Sequence, residues 1–118
     1  MKKNSLLAIR HESRKYLKHS MKTISFVMPC YNDGDTIECA IRSIRDQDLS
    51  DIEIVVVNDG STDESKVILE ALKEQGLIDQ LIHFDKNRGA CVARNEGAKL
   101  ASGKYFSFLP ADAILYPG

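Results

Sequence analysis

Ile54-Val55-Val56-Val57-Asn58-Asp59-Gly60-Ser61-Thr62-Asp63 decides the fold. An apolar run rich in β-branched residues stops at a polar loop, and a helical pattern begins directly after it. Such a run, without polar alternation, suits a strand covered on both faces, as in a parallel sheet. In open sheets of this kind, ligands sit outside the carboxyl ends of the strands. Asp59 stands at such an end, where a carboxylate can accept a hydrogen bond from a ribose hydroxyl or a base N–H.

Working outward, the same unit recurs. Residues 23–28 read as a strand ending at Pro29. Asp35-Thr36-Ile37-Glu38 has the spacing of an N-cap with an acid three residues on, and Ile37, Ala40, Ile41 and Ile44 share one helical face. Residues 52–58 form the second strand. Ser61 and Glu64 have capping-box spacing, and the helix carrying Val67, Ile68, Leu69 and Leu72 runs to Gly76. Residues 80–84 make a short third strand, 86–89 a loop, and 90–101 a third helix closed by Gly103. Residues 104–109 make a fourth strand, ending at Pro110-Ala111-Asp112. Strands alternating with helices imply right-handed crossovers. The expected class is therefore α/β: an open, mostly parallel sheet with flanking helices, Rossmann-like. One domain is expected over residues 21–118.

The 118 residues are 43% hydrophobic and 28% charged, enough for one domain with a real core. The net charge of −1 gives no global attraction to nucleic acid or to a membrane. Its distribution is uneven: residues 1–20 carry Lys2, Lys3, Arg10, Arg14, Lys15 and Lys18 against Glu12 alone. That segment is read as a basic N-terminal extension, a solvated or frayed helix over 5–19 with a ragged apolar face. No secretory leader and no bilayer-length apolar run is apparent. Cys30, Cys39 and Cys91 are odd in number and lack Cys-x-x-Cys spacing, which points to free thiols and a cytoplasmic setting.

All the loops of interest follow strands, so a parallel sheet gathers them at one edge. Pro29-Cys30-Tyr31-Asn32-Asp33 offers an aromatic ring for a flat base. Asp59 offers an acceptor, although Asp and Gly also favour turns for their own sake. Ser61 and Asp63 suit helix caps better than ligand contacts. Lys86, Arg88 and the helix start at Ala90 suit a diphosphate, or else ordinary solvation. Asp112 is a lone carboxylate of the kind that ligates a hard divalent cation, or sits in a surface turn.

Taken in order, these segments resemble the family-2 glycosyltransferases. Ile24-Ser25-Phe26-Val27-Met28-Pro29-Cys30-Tyr31-Asn32 is similar to that family's opening, and Ile54–Asp63 to its second signature. Asn87-Arg88-Gly89, Ala93-Arg94-Asn95-Glu96-Gly97 and Gly103-Lys104-Tyr105-Phe106-Ser107-Phe108-Leu109 follow in the family's order. The resemblance covers residues 23–118 and implies the nucleotide-sugar-binding half of a GT-A fold. It implies a donor site at Pro29, Tyr31, Asn32, Asp59, Arg88 and Arg94, with Tyr31 stacked on the base and Asp59 bonded to it. Asp112 would be the metal ligand, for Mg²⁺ or Mn²⁺ on the donor diphosphate, and inverting transfer to an acceptor hydroxyl would follow. The donor would be a nucleoside-diphosphate sugar, of uridine type, and the acceptor a saccharide or a lipid-linked glycan at a membrane surface.

Two departures shape the expectation. The family's Leu-Asp-Ala-Asp-Asp reads Leu109-Pro110-Ala111-Asp112-Ala113 here, and the 118 residues are fewer than the family has. A donor-binding half without turnover of its own is therefore expected, and self-association through residues 104–117. A non-catalytic nucleotide or nucleotide-sugar binding module is the second reading. A dinucleotide-dependent oxidoreductase lacks its Gly-x-Gly-x-x-Gly, since Pro29-Cys30-Tyr31-Asn32 stands in that place. A P-loop is absent, and nucleic-acid binding has only the basic N-terminus behind it.

Overall fold

The computed structural model describes residues 22–47 and 49–116. The basic extension 1–20 lies outside the described residues. Seven elements follow in order: β1 (Lys22–Cys30), α1 (Ile37–Arg45), β2 (Ile52–Asn58), α2 (Ser65–Glu74), β3 (Gln80–His83), α3 (Ala90–Leu100) and β4 (Gly103–Phe108). The four strands pair in parallel in the order β3-β2-β1-β4. The alternating pattern thus gives the α/β parallel sheet expected of it.

Side-chain alternation sorts the core into two layers. Phe26, Met28 and Cys30 of β1 and Ile52, Ile54 and Val56 of β2 join Ile37, Ala40, Ile41, Ile44, Leu69 and Leu72 of α1 and α2 in one buried cluster. Val27, Val55 and Val57 point the other way, toward α3, and are fully buried. Each such side chain contributes on the order of 1.5–3 kcal/mol by leaving water. The close approach of α3 depends on Gly97. A Cβ there would lie 2.6 Å from Val27 Cγ1 and 3.1 Å from Val57 Cγ2, so even alanine would force the helix off the sheet.

Several boundaries differ from the expectation, each for a visible reason. Strand β1 continues through Pro29 to Cys30. Pro29 faces the β4 side, where pairing ends at Val27 with Phe108, so its missing N–H interrupts no ladder bond. Neither capping box forms. Helix α1 starts at Ile37, after Thr36, and Glu38 instead bonds Arg42 one turn on, at 2.8 Å. Helix α2 starts at Ser65, where Asp63 accepts the Ser65 amide at 2.9 Å. Ser61 is occupied elsewhere, as described below. Gly103 does not close α3, which ends at Leu100; it opens β4 beside Lys22.

Strand β4 lies at the edge of the described sheet. Its register with Ser25 and Val27 puts Phe106 and Phe108 on the α3 side, where both stay half exposed. This order also creates a switch point. The chain leaves β1 toward β2 and β3 on one side, then returns to β4 on the other. The crevice at such a point, outside the carboxyl ends, is where open α/β sheets bind ligands.

At the opposite, amino-terminal edge is a polar cluster that sequence reading missed. Glu53, 4% exposed, accepts hydrogen bonds from Ser25 Oγ (2.7 Å), Ser102 N (2.8 Å), Ser102 Oγ (3.3 Å) and Gln80 Nε2 (3.1 Å). Ser25 Oγ in turn accepts the Gly103 amide at 2.7 Å. Burial pushes the Glu53 carboxyl up, but these hydrogen bonds together hold it below the ordinary range. The signal was present: Ser25 and Glu53, both polar in apolar runs, are in register on adjacent strands.

Candidate functional site

A cavity of about 430 Å³ opens at the switch point. Its walls come from the end of β1 (Pro29, Cys30, Tyr31, Asp33), the end of β2 (Asp59), the loop into α3 (Asn87, Gly89, Ala90, Arg94) and the turn after β4 (Pro110, Ala111, Asp112). Five of the seven sequence-predicted site residues therefore meet: Pro29, Tyr31, Asp59, Arg94 and Asp112. Asn32 and Arg88 do not line it. A larger depression, about 550 Å³, lies on the outer face of α3. It is walled by that single helix, away from the strand ends.

Asp59 is the best-anchored of these residues. It is 2% exposed, and its backbone N–H donates to the Cys30 carbonyl at 2.8 Å, continuing the β1–β2 ladder. Its carboxylate accepts Arg88 N at 2.6 Å on Oδ1, and Gly89 N at 3.0 Å and Asn87 Nδ2 at 3.1 Å on Oδ2. A loop that precedes a helix has free N–H groups to satisfy, and here a buried carboxylate satisfies two of them. The acid thus ties the 87–89 loop, and with it the start of α3, to the end of β2. Gly60 makes this approach possible. Its φ is +73°, and a Cβ there would lie 2.3 Å from the Lys86 carbonyl carbon. The Asn87-Arg88-Gly89 string was visible in the sequence, but nothing in its pattern tied it to Asp59.

The first and second loops are joined as well. Asn32 has a left-handed φ of 53°, which Asn tolerates better than most residues. Its N–H donates to Ser61 Oγ at 2.9 Å. Its side-chain oxygen accepts Thr62 N at 2.7 Å, Asp63 N at 3.2 Å and Thr62 Oγ1 at 3.4 Å. Asp63 Oδ2 accepts Gly34 N at 3.1 Å from the other loop. The Ser65 and Gly34 amides, which donate to it at 2.9 and 3.1 Å, hold the Asp63 carboxyl below the usual range. So Ser61, expected as a helix cap, instead fastens the two loops together, while Asp63 does both, accepting the first amide of α2 on Oδ1 and Gly34 N of the other loop on Oδ2. Asn58 adds a further brace, accepting Ser61 N at 3.2 Å and contacting His83 Nδ1 at 2.9 Å.

Tyr31 is half exposed at the cavity wall, a flat ring open to one side. Cys30, beside it, is fully buried. Burial, then the Asp33 charge, push its thiol up to about 11, so at neutral pH it is an inert apolar wall and not a nucleophile. Arg94 is the cation among the lining residues. The Arg88 guanidinium stacks over the Phe84 ring, 4.5 Å from its centroid, and that residue reaches the site through its main chain. Lys86 is exposed and outside the lining.

Asp112 is exposed at the cavity rim, with Pro110 and Ala111 beside it. Among the described residues no group of three or more His, Cys, Asp or Glu could cage a metal ion. The Asp59 carboxylate is engaged by the 87–89 loop. Asp33, the third lining carboxylate, accepts the Tyr31 N–H at 3.0 Å, and the remaining Asp112 fits an ion that is mostly held by a ligand's own phosphates and water, the usual habit of Mg²⁺. It does not fit a metal resident without ligand.

Comparison with known proteins bears on the family and the fold. The chain is 39% identical over 101 residues to an uncharacterized glycosyltransferase, YibD, of Escherichia coli, covering 86% of this chain and 29% of that protein. It is 31% identical over 112 residues to the poly-beta-1,6-N-acetyl-D-glucosamine synthase of Staphylococcus epidermidis, covering 95% and 26%. Among solved structures, Staphylococcus aureus TarS 1–349 in complex with UDP superposes with a TM-score of 0.69 at 29% identity, over 76% of this chain and 27% of that one. The mannosyltransferase PcManGT of Pyrobaculum calidifontis, in complex with GDP-Man and Mn²⁺, gives 0.73 at 25% identity, over 92% and 35%. In each match the chain spans well under half of the relative's length. The fold is the nucleotide-binding half of the GT-A type. The family profile described as glycosyl transferase family 2 matches residues 25–118, and the chain belongs to that family.

Proposed function

We propose that residues 21–118 form the donor-binding domain of a glycosyltransferase that takes a nucleoside-diphosphate sugar, of uridine type. The observation that carries this reading is the convergence of Tyr31, Asp59, Arg94 and Asp112 on one cavity at the switch point of a parallel sheet. Tyr31 offers its ring face to the base. Asp59 Oδ1 takes one hydrogen bond from the loop and retains acceptor capacity for a base N–H. Arg94 and the amino end of α3 offer positive charge to the diphosphate. Pro29 closes the wall behind Tyr31, while Asn32 and Arg88 contribute through the loops that they hold. Structures of similar proteins in complex with UDP and with GDP-Man and Mn²⁺ support a nucleotide donor.

Asp112 would hold Mg²⁺ or Mn²⁺ together with the donor diphosphate. When bound, such an ion stabilises charge on the departing nucleoside diphosphate. The reaction proposed is inverting transfer to an acceptor hydroxyl, on a saccharide or a lipid-linked glycan presented at a membrane surface. No described helix is long and apolar enough to cross a membrane; a cytoplasmic setting is part of the proposal. The 118-residue chain is proposed to bind donor without appreciable transfer. The loss of the acids flanking Asp112 favours the second reading, a nucleotide-sugar binding module without catalysis. Self-association through the open β4 edge and the half-exposed Phe106 and Phe108 is also proposed. Light scattering that gives a concentration-independent monomer would rule it out.

The test is calorimetry with UDP, GDP, CDP and inorganic pyrophosphate, each with and without Mn²⁺. UDP is expected to bind best, and more tightly with the ion. No binding of any nucleotide at millimolar concentration overturns the proposal. Donor-sugar transfer assays on the same chain separate a bound but inactive module from an enzyme.

A further inference from the structure

We propose that Asn32 is a positioning residue, a latch that sets the Tyr31 ring for the base, and not a ligand of the donor. The proposal rests on the reading of Tyr31 as the base platform. Among the described residues, no hydrogen bond holds the Tyr31 hydroxyl, and half of the side chain is open to solvent. Its placement must therefore come from the backbone around it. That backbone is fixed by β1 on one side, by the Asp33 carboxylate, which accepts the Tyr31 N–H at 3.0 Å, and on the other side by Asn32, the next residue. The left-handed turn at Asn32 redirects the chain directly after Tyr31. The turn is held by what the Asn32 side-chain oxygen does: it gathers two amide N–H groups and a hydroxyl from Thr62 and Asp63. The Asn32 N–H completes the clasp on Ser61.

The chemistry of this side chain separates the two roles. All three contacts use the amide oxygen as acceptor. A carboxylate at the same position supplies an equivalent oxygen and tolerates the same φ. A donor-binding role for the amide would use its N–H₂, which a carboxylate lacks. Asn32→Asp thus keeps the latch and removes any ligand contact made by the amide nitrogen. Asn32→Gly removes the latch and leaves the left-handed turn free of steric cost.

The two variants and the unmodified 118-residue chain are compared for binding of UDP and of inorganic pyrophosphate. Pyrophosphate has no base, so it reports charge effects alone, including the negative charge that Asn32→Asp introduces. The UDP-to-pyrophosphate affinity ratio is expected to fall about tenfold in Asn32→Gly, the order of one lost net hydrogen bond or two. In Asn32→Asp it is expected to return to within about twofold of the original, a difference too small to represent a lost hydrogen bond. A ratio as low in Asn32→Asp as in Asn32→Gly overturns the latch and makes the amide a ligand. An unchanged ratio in Asn32→Gly also overturns it. Amide hydrogen exchange of Thr62 and Asp63, measured without ligand, keeps the test separate from the donor-site reading. Should neither UDP nor pyrophosphate bind, that reading fails on its own. The latch then stands if both amides exchange faster in Asn32→Gly and regain protection in Asn32→Asp, and falls if all three proteins exchange alike.

Discussion

Two buried carboxylates sit at opposite edges of the same sheet, and their surroundings differ in one respect. Glu53 at the amino-terminal edge and Asp59 at the carboxyl-terminal edge are both nearly inaccessible, 4% and 2% exposed. Both are satisfied by hydrogen bonds from a distant part of the chain. Glu53 gathers Ser25, Gln80 and Ser102 into a closed cluster that locks the α3–β4 joint to β1 and β2. Asp59 gathers a loop that walls a cavity. Burial and hydrogen bonding thus do not mark a functional acid by themselves. What sets Asp59 apart is the adjacent cavity, and the topology sets which edge has one, because the switch point between β1 and β4 opens a crevice only where strands end in diverging loops.

This contrast is open to direct tests. The largest effect is expected for Glu53→Ala, which leaves the fully buried Ser25 hydroxyl without its acceptor and takes one from Ser102 and from Gln80, which keeps the Leu100 carbonyl. It should lower unfolding stability by about 3 kcal/mol, seen as a shift in urea midpoint, with nucleotide affinity of the folded protein unchanged. A drop in affinity at full folding would mean that the two edges are coupled. Asp59→Ala should show the reverse balance. Releasing the 87–89 loop should weaken UDP by about 2 kcal/mol, roughly thirtyfold, with a smaller loss of stability than at Glu53. Equal binding by that variant would remove Asp59 from the site.

The pH dependence of stability sharpens the same comparison. Glu53 is held below its ordinary value near 4.5 in the fold, so between the folded and unfolded values the unfolded chain binds more protons. Its contribution is complete above that ordinary value and is lost as pH falls through the lower folded value. Urea midpoints between pH 7 and pH 3 should therefore decline less steeply for Glu53→Gln than for the unmodified chain. Identical slopes would show that the cluster does not favour the ionised form.

The smallest effect is expected at Arg88. Its guanidinium rests on Phe84, and its contribution to the site passes through its main chain. Arg88→Ala should cost about 0.5–1 kcal/mol in stability and leave UDP affinity nearly unchanged, whereas Arg94→Ala should weaken UDP measurably. A larger loss at Arg88 than at Arg94 would show that the Arg88 side chain leaves Phe84 to meet the diphosphate.

The sequence by itself determined the alternation of strands and helices, the parallel sheet and the family. It could do so because β-branched runs, helical periodicity and loop composition are local properties, set by the backbone preferences of a few successive residues. It also placed Pro29, Tyr31, Asp59 and Asp112 at strand ends, which a parallel sheet gathers on one edge, while Arg94, in the second turn of α3, came only with the family resemblance. Its errors were equally local. Ser61 and Glu64 have capping-box spacing, yet Ser61 is taken by the Asn32 amide 29 residues away. Gly103 looks like a helix stop but meets Ser25 across the sheet. Only the tertiary structure decided which partner each polar group found: Asn32 with Thr62 and Asp63, Asp59 with the 87–89 loop, Glu53 with Ser102. Those pairings join residues 28 to 49 positions apart. A buried donor or acceptor must be satisfied, and which long-range partner satisfies it depends on packing that no local pattern encodes.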